Sequence, residues 1–174
     1  MPSTFSLETE RLRLRPVAPG DVEELVRLHD DPEVAKYMGV RDRGWYEWRI
    51  EASLEEWAER GHGFVVVLDG ESGRFLGRTG LKFWTEFGET ELGWVLRPEA
   101  RGHGYATEAA RAVLDWGFEN LDVPYVTAMI RPANDASVAV AERLGMEPGR
   151  RDELNGDPLV VYSIDREAWE RRRA

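Results

Sequence analysis

The 174-residue chain has no cysteine, which excludes disulfides, thiolate-held metals and a cysteine nucleophile. Lysine is nearly missing as well, present only as Lys36 and Lys82. Positive charge is in deficit overall, with a net charge of −10. A nucleic-acid backbone is therefore not an expected partner, because like charges repel. The three histidines, His29, His62 and His103, are too scattered to suggest a metal site, and no metal is expected. No apolar run approaches the ~20 residues that cross a bilayer; the longest, Phe64–Leu68, has the length of a strand. A membrane partner is not expected either. The opening stretch "MPSTFSLETERLRLRP" lacks the apolar core of a secretory signal, so cytoplasmic residence is the expectation.

What is present is ordinary for a soluble globular protein: 42% hydrophobic and 32% charged residues. The length suits one domain, 1–174, with a sizeable core, and no internal repeat or low-complexity linker interrupts it. "ERLRLRPV" alternates Leu12 and Leu14 against arginines, the period of a half-buried strand. "PGDVEELVRLHDD" follows as a helix with Asp21 as candidate N-cap and Val22, Leu25 and Leu28 on one face. Residues 45–60 read as a second helix carrying Trp48, Ile50, Leu54 and Trp57. "GFVVVLDGESGRFLGRTGLKFW" is two strands around a glycine turn, and "ETELGWVLRP" is another, stopped by Pro98. A helix over 103–120, the strand "YVTAMIRP", the helix "NDASVAVAERLG" and two closing strands complete the chain. The terminal "RRR" reads as a solvated tail. Hairpins combined with a strand–helix–strand unit give an α+β fold, a mixed sheet flanked by helices.

The segment "RPEARGHGYATEAARAVLDWGF" places Gly102 and Gly104 directly before a helix. Glycines there let backbone N–H groups approach a ligand closely, and a helix N-terminus favours a phosphate. A P-loop would need Lys-Ser/Thr after the second glycine, and no lysine follows Gly104. A dinucleotide fingerprint would need a third glycine where Thr107 stands, and an acidic residue ending the next strand, whereas Asp122 precedes it. A coenzyme A pyrophosphate and an ordinary helix start remain open on these residues alone.

Arg101-x-x-Gly104-x-Ala106 resembles the Arg/Gln-x-x-Gly-x-Gly/Ala motif of the GNAT superfamily of acyl-CoA N-acyltransferases. "LETERLRLRPVAPGDVEELVRLHDDPEVAKYMG", "ELGWVLRPEARGHGYATEAARAVLDWGF" and "RPANDASVAVAERLGMEPGR" resemble its branch of ribosomal-protein N-terminal acetyltransferases, the RimJ/RimL type. Together they cover residues 7–165 in the expected order. The resemblance implies a GNAT fold, with a mostly antiparallel sheet of six to seven strands, about four helices and splayed central strands. It implies acetyl-CoA as cosubstrate and an amine as acceptor, with dimerisation as a property of some relatives. Arg101, Gly102, His103, Gly104, Tyr105, Ala106 and Thr107 would hold the pyrophosphate. Backbone groups of Trp94, Val95, Leu96 and Arg97 would bond the pantetheine as a pseudo-strand. Asn134 matches a residue near the pantetheine, though it would serve equally as a helix N-cap.

Two residues carry the implied chemistry. Glu91 matches an acidic position that acts as base, often through water; otherwise it is an exposed strand carboxylate beside Glu89. Ser137 matches a serine near the cofactor sulfur, where it would assist the departing thiolate; otherwise it is a polar residue of a first helical turn. Many relatives place a tyrosine acid at the position of Ala141. Trp45, Tyr46 and Trp48 fall where the family places part of its acceptor wall. An acyl-CoA-binding module without turnover has the same motifs and stands as the alternative.

Overall fold

The computed structural model describes residues 5–174. Eight strands join one sheet: β1 (Leu7–Glu8), β2 (Leu12–Pro16), β3 (Phe64–Asp69), β4 (Phe75–Trp84), β5 (Glu89–Leu96), β6 (Tyr125–Ile130), β7 (Glu147–Leu154) and β8 (Asp157–Asp165). Their spatial order is β1-β2-β3-β4-β5-β6-β8-β7, with every pairing antiparallel except β5 with β6. Six α-helices accompany them: α1 (Val22–Asp30), α2 (Pro32–Met38), α3 (Arg43–Arg60), α4 (Tyr105–Asn120), α5 (Asp135–Leu144) and α6 (Arg166–Arg173). The α+β architecture is as expected, with counts slightly above the six to seven strands and about four helices anticipated. A two-residue edge strand and two short helices, α2 and α6, make the difference.

The period-two pattern of β2 works as read, since Leu12 and Leu14 are 1% and 0% exposed. They join Leu81, Leu92 and the small face of α4, where Ala109, Ala110 and Val113 are buried. Close approach of helix and sheet is visible at Gly117, where an added Cβ would lie 3.1 Å from Leu81. The opposite sheet face carries a second core, in which Val66 and Phe75 pack with Val22, Leu25 and Leu28 of α1 and Tyr46 and Ile50 of α3. The sheet is thus a middle layer with α4 on one side and α1 and α3 on the other.

Glycines terminate some of the helices. Gly61 and Gly145 end α3 and α5 in left-handed geometry, at φ of 73° and 81°. Asp21 precedes α1 but makes no cap bond. Its carboxylate instead accepts the Ala18 N–H at 2.8 Å and pairs with Arg15. The "RRR" tail is exposed, as expected, but it is also helical: it forms the last turn of α6, which is anchored by the fully buried Trp169. Trp169 Nε1 donates to Asp115 at 2.9 Å, and Arg173 pairs with Asp115 and Glu119.

The feature that positions a site is a gap in the middle of the sheet. β4 and β5 pair along eight residues, and β6 and β8 along six. Between them β5 and β6 share one aligned pair, Glu91 with Thr127, supported by a Thr127 hydroxyl bond to Thr90 O. Beyond Glu91 the strands separate, leaving the far half of β5 without a neighbour on that edge.

Candidate active site

The gap opens into a cleft of about 2540 Å3, counting its mouth. Trp94, Val95 and Leu96 of β5 line one side, and Asn134 and Ser137 of α5 the other. Arg101, Gly102 and the 104–107 turn close its end. Arg97 N–H is taken by Leu76 O at 2.9 Å. Alternation along an antiparallel ladder then turns the peptide groups of Trp94 and Leu96 to the free edge. Leu96 O is approached by the Arg101 guanidinium at 3.3 Å.

Gly102 and Gly104 sit at φ of 77° and 78°, a region that side chains with a Cβ rarely adopt. Gly104 is the N-cap of α4 and has no side chain to satisfy the first turn. The first intrahelical bond is Glu108 N–H to Gly104 O. Among the described residues, the N–H groups of residues 102–107 have no acceptor. The Thr107 hydroxyl, which also lines the cleft, is buried and likewise without a partner. A row of unpaired donors at a helix N-terminus suits an anion such as a pyrophosphate. The residues present therefore fit the phosphate end of coenzyme A.

Acidic Glu108 stands in this same turn, and its charge is contained by a residue that sequence reading passed over. Arg11 pairs with Glu108 at 2.6 Å, donates to His103 O at 2.9 Å and lies over the Tyr105 ring at 4.6 Å. Burial pushes the Glu108 carboxyl up, but bonds from Thr9 and Arg11 outweigh it and hold it below the usual value. Nothing local marks Arg11, since its partner lies 97 residues away. Two further arginines near the cleft are engaged, Arg97 with Glu24 and Glu99, and Arg101 with Asp31 at 3.8 Å, whereas Lys36, Arg111 and Arg143 line it without an ion pair among the described residues. The His103 side chain is exposed and does not line the cleft.

On α5, Asn134 Oδ1 accepts the Ser137 N–H at 3.2 Å, so Asn134 is the cap of the helix as well as part of the cleft wall. The Ser137 hydroxyl has no protein partner among the described residues. Ala141, one turn on, is 0% exposed and faces the core, so the cleft holds no acid from that position.

Glu91 stands where β5 and β6 part, on the α1/α3 side of the sheet, and does not line the cleft itself. It is not an exposed carboxylate. Trp84 Nε1 donates to it, and Lys82 is its cross-strand partner. Burial pushes its carboxyl above the usual range, opposed by the Trp84 bond and by Lys82. Its neighbour Glu89 has a different fate, bound in a fork by Arg150 at 2.7 and 2.8 Å. A carboxyl raised towards neutrality is suited to accept and release protons there.

Also on the α1/α3 side, Trp45, Tyr46, Arg49, His29, Phe64 and Arg78 line a smaller pocket of about 380 Å3, counting its mouth. Trp48 is 57% exposed and takes no part in it. Burial, then the charges of Arg78 and Arg41, pushes His29 down to about 3, leaving it neutral. His29 Nδ1 is 3.1 Å from the Tyr46 hydroxyl. No group of metal-ligating side chains occurs among the described residues.

Comparison with known proteins agrees with this geometry. The profile of the Acetyltransferase (GNAT) domain family matches residues 11–147. Uncharacterized protein YkkB of Bacillus subtilis (strain 168) is 34% identical, over 93% of this chain and 96% of that protein. The crystal structure of the acetyltransferase from Agrobacterium tumefaciens str. C58 superposes with a TM-score of 0.83 at 35% identity, covering 93% of this chain and 95% of that one. Spermidine N(1)-acetyltransferase of Escherichia coli (strain K12) is 26% identical over 83% of this chain and 75% of that protein.

Proposed function

The chain belongs to the GNAT acetyltransferase family, and on that premise we propose that it acetylates a primary amine by direct transfer, without a covalent enzyme intermediate. The acceptor is a protein α-amine or a small-molecule amine, and the RimJ/RimL type is the branch its motifs resemble most. The observation that carries the reading is the row of unpaired N–H groups at 102–107, opening on the same cleft as the free edge of β5 and Ser137.

Acetyl-CoA supplies a thioester carbonyl and a thiolate able to leave. The turn from Arg101 through Gly102, His103, Gly104, Tyr105 and Ala106 to Thr107 holds its pyrophosphate, mostly by main chain. Each charge-assisted bond there is worth about 1.5–3 kcal/mol, and the helix dipole adds about 0.3–1 kcal/mol. The free edge of β5 orients the pantetheine through the peptide groups of Trp94 and Leu96, with Asn134 on the facing wall. Those of Val95 and Arg97, also expected to bond it, face β4. Glu91 draws the proton from the amine, through water, since it stands behind the cleft rather than in it. Ser137 gives a hydrogen bond to the sulfur as the carbon–sulfur bond breaks. An α-amine near ~7.7–8.0 needs little help from Glu91 at neutral pH, whereas a lysine amine near ~10.4 needs far more.

Release of free thiol from acetyl-CoA, followed across a panel of amines, tests the reading. Amine-dependent release is expected. If acetyl-CoA binds and no amine accelerates release, the chain is an acyl-CoA-binding module of the same fold.

A further inference from the structure

The α1/α3 side of the sheet buries more positive charge than it neutralises. Arg49, Arg78 and Lys82 gather there, facing Glu91 and Glu56. Arg49 has a partner in Glu56 at 3.5 Å. Arg78 is 9% exposed and makes no side-chain hydrogen bond or ion pair among the described residues, although the Glu91 charge acts on it from farther off. Its guanidinium lies over the Phe64 ring at 4.7 Å, a ring that Arg49 also covers at 4.2 Å. Removing a charge from water without a partner is strongly unfavourable. The cost shows in Arg78 itself, which burial and the neighbouring charge of Arg49 push down to about 10.

A second donor or acceptor is left over beside it. His29 Nε2 is buried without a partner, and both side chains line the small pocket under α1 and α3. Arg49 and Tyr46 also line it, and the rest of its wall is apolar: Val17, Leu25, Ile50 and the rings of Trp45 and Phe64. A planar guanidinium fork in an apolar setting matches a carboxylate, which it can bind by two parallel bonds.

The register of β4 and β5 relates this pocket to the chemistry. Arg78 lies opposite Val95, which lines the cleft. Two residues along, Gly93 lies opposite Gly80, and a Cβ on Gly93 would meet nothing within 4 Å. Two residues further, Glu91 lies opposite Lys82. One face of the sheet thus presents a guanidinium, then a bare stretch, then a carboxylate, in steps of about 6.5–7 Å.

We propose that Arg78 is the anion-binding residue of the acceptor site, and that the acceptor is a small amine that also bears a carboxylate. The carboxylate seats on Arg78, and the amine lies over Gly93 towards Glu91 and the edge of the cleft. A polyamine brings the wrong sign of charge to Arg49, Arg78 and Lys82. This assignment rests on the acetyl-transfer reading above and narrows its acceptor class.

Apolar amino acids paired with their own carboxamides test it, with spermidine as a third arm, at saturating acetyl-CoA. Each acid should exceed its amide in kcat/KM by about tenfold to a hundredfold, the worth of one charge-assisted pair. This order is opposite to the ease of deprotonating the two amines. Arg78→Met, which matches the side chain in bulk, should collapse the acid-to-amide ratio towards one and leave Tm unchanged or higher. Should that variant fail to fold, Arg78→Lys carries the test: it keeps the charge, loses the fork, and should reduce the ratio severalfold. Equal use of acid and amide, a preference for spermidine, or a ratio untouched by substitution overturns the assignment while leaving acetyl transfer intact. If no amine is acetylated, the transfer reading fails instead. Calorimetry of the same acids and amides with coenzyme A present then tests the subsite alone. Binding of acids that depends on Arg78 supports it, and absence of binding overturns it.

Discussion

The two sides of the sheet offer a ligand opposite kinds of contact. The cleft between β5 and β6 works with main chain: unpaired N–H groups at 102–107 and the free edge at Trp94 and Leu96. Several side chains around it already have partners, as with Arg97 and Glu24, or Arg11 and Glu108. The pocket under α1 and α3 is much the smaller and offers side chains instead: the unpartnered Nε2 of His29 and the guanidinium of Arg78. A main-chain site depends on backbone path and tolerates exchange of the residues on it. A side-chain site changes specificity with a single substitution.

The comparison can be broken most severely at Gly104. Gly104→Val places a β-branched residue at φ 78° and moves the donors of the turn together. Acetyl-CoA affinity measured by calorimetry should fall by up to about a hundredfold, the equivalent of one or two charge-assisted bonds. The backbone strain itself costs roughly 1–2 kcal/mol, so melting temperature should fall much less than affinity suggests. Unchanged affinity in a folded variant removes the phosphate assignment.

Glu91→Gln acts on the other side. Turnover should fall by about tenfold to a hundredfold, most at lower pH, where the acceptor amine is protonated, with the gap narrowing as pH nears the pKa of that amine. Acetyl-CoA affinity should stay nearly constant. The stability effect has the opposite sign. Burial raises this carboxyl, so the fold favours its neutral form; that stability is full below the ordinary carboxylate range and is lost as pH rises through the raised value. Gln cannot ionise, and melts at acid and mildly alkaline pH should show the variant gaining on the parent as pH rises. A pH–rate profile identical to the parent's removes Glu91 from proton transfer.

Ser137→Ala should lower kcat by about tenfold, near 1.4 kcal/mol, with little change in acceptor KM. The effect is modest because a thiolate with a pKa near ~8.5 leaves readily. Ala141→Tyr is not expected to compensate, since residue 141 is fully enclosed and added bulk there overpacks the core. Smallest of all, His103→Ala should change acetyl-CoA affinity by less than about twofold. Its ring is exposed, and its contribution to the turn is made by the backbone.

This division also explains what could be read from the sequence. The glycine turn, the alternation of β2 and the caps of α3 and α5 are local, and each is written within a few residues. The pairing of Arg11 with Glu108 is not, nor is the pocket that combines Arg49 of α3 with Arg78 of β4. Those contacts exist only after strand order is set. Glu91 shows the same limit: the family resemblance offered a base and the residues alone an exposed carboxylate, and the neighbours that enclose it, Trp84 and Lys82, come from the adjacent strand. The arginine-rich C-terminus reads as a solvated tail because one anchoring residue, Trp169, is outnumbered by charge. His29 and His62 offer no spacing signal, and both are buried.

The most direct measurement follows backbone amide resonances by NMR while acetyl-CoA is added, and then an amine acceptor. Acetyl-CoA should shift residues 102–107 together with Trp94 and Leu96, and leave the Arg49 and Arg78 surroundings largely unmoved. The acceptor should then shift the second set. Acetyl-CoA perturbing the α1/α3 side first, with the 102–107 amides unchanged, would contradict the division of labour between the two sides of the sheet.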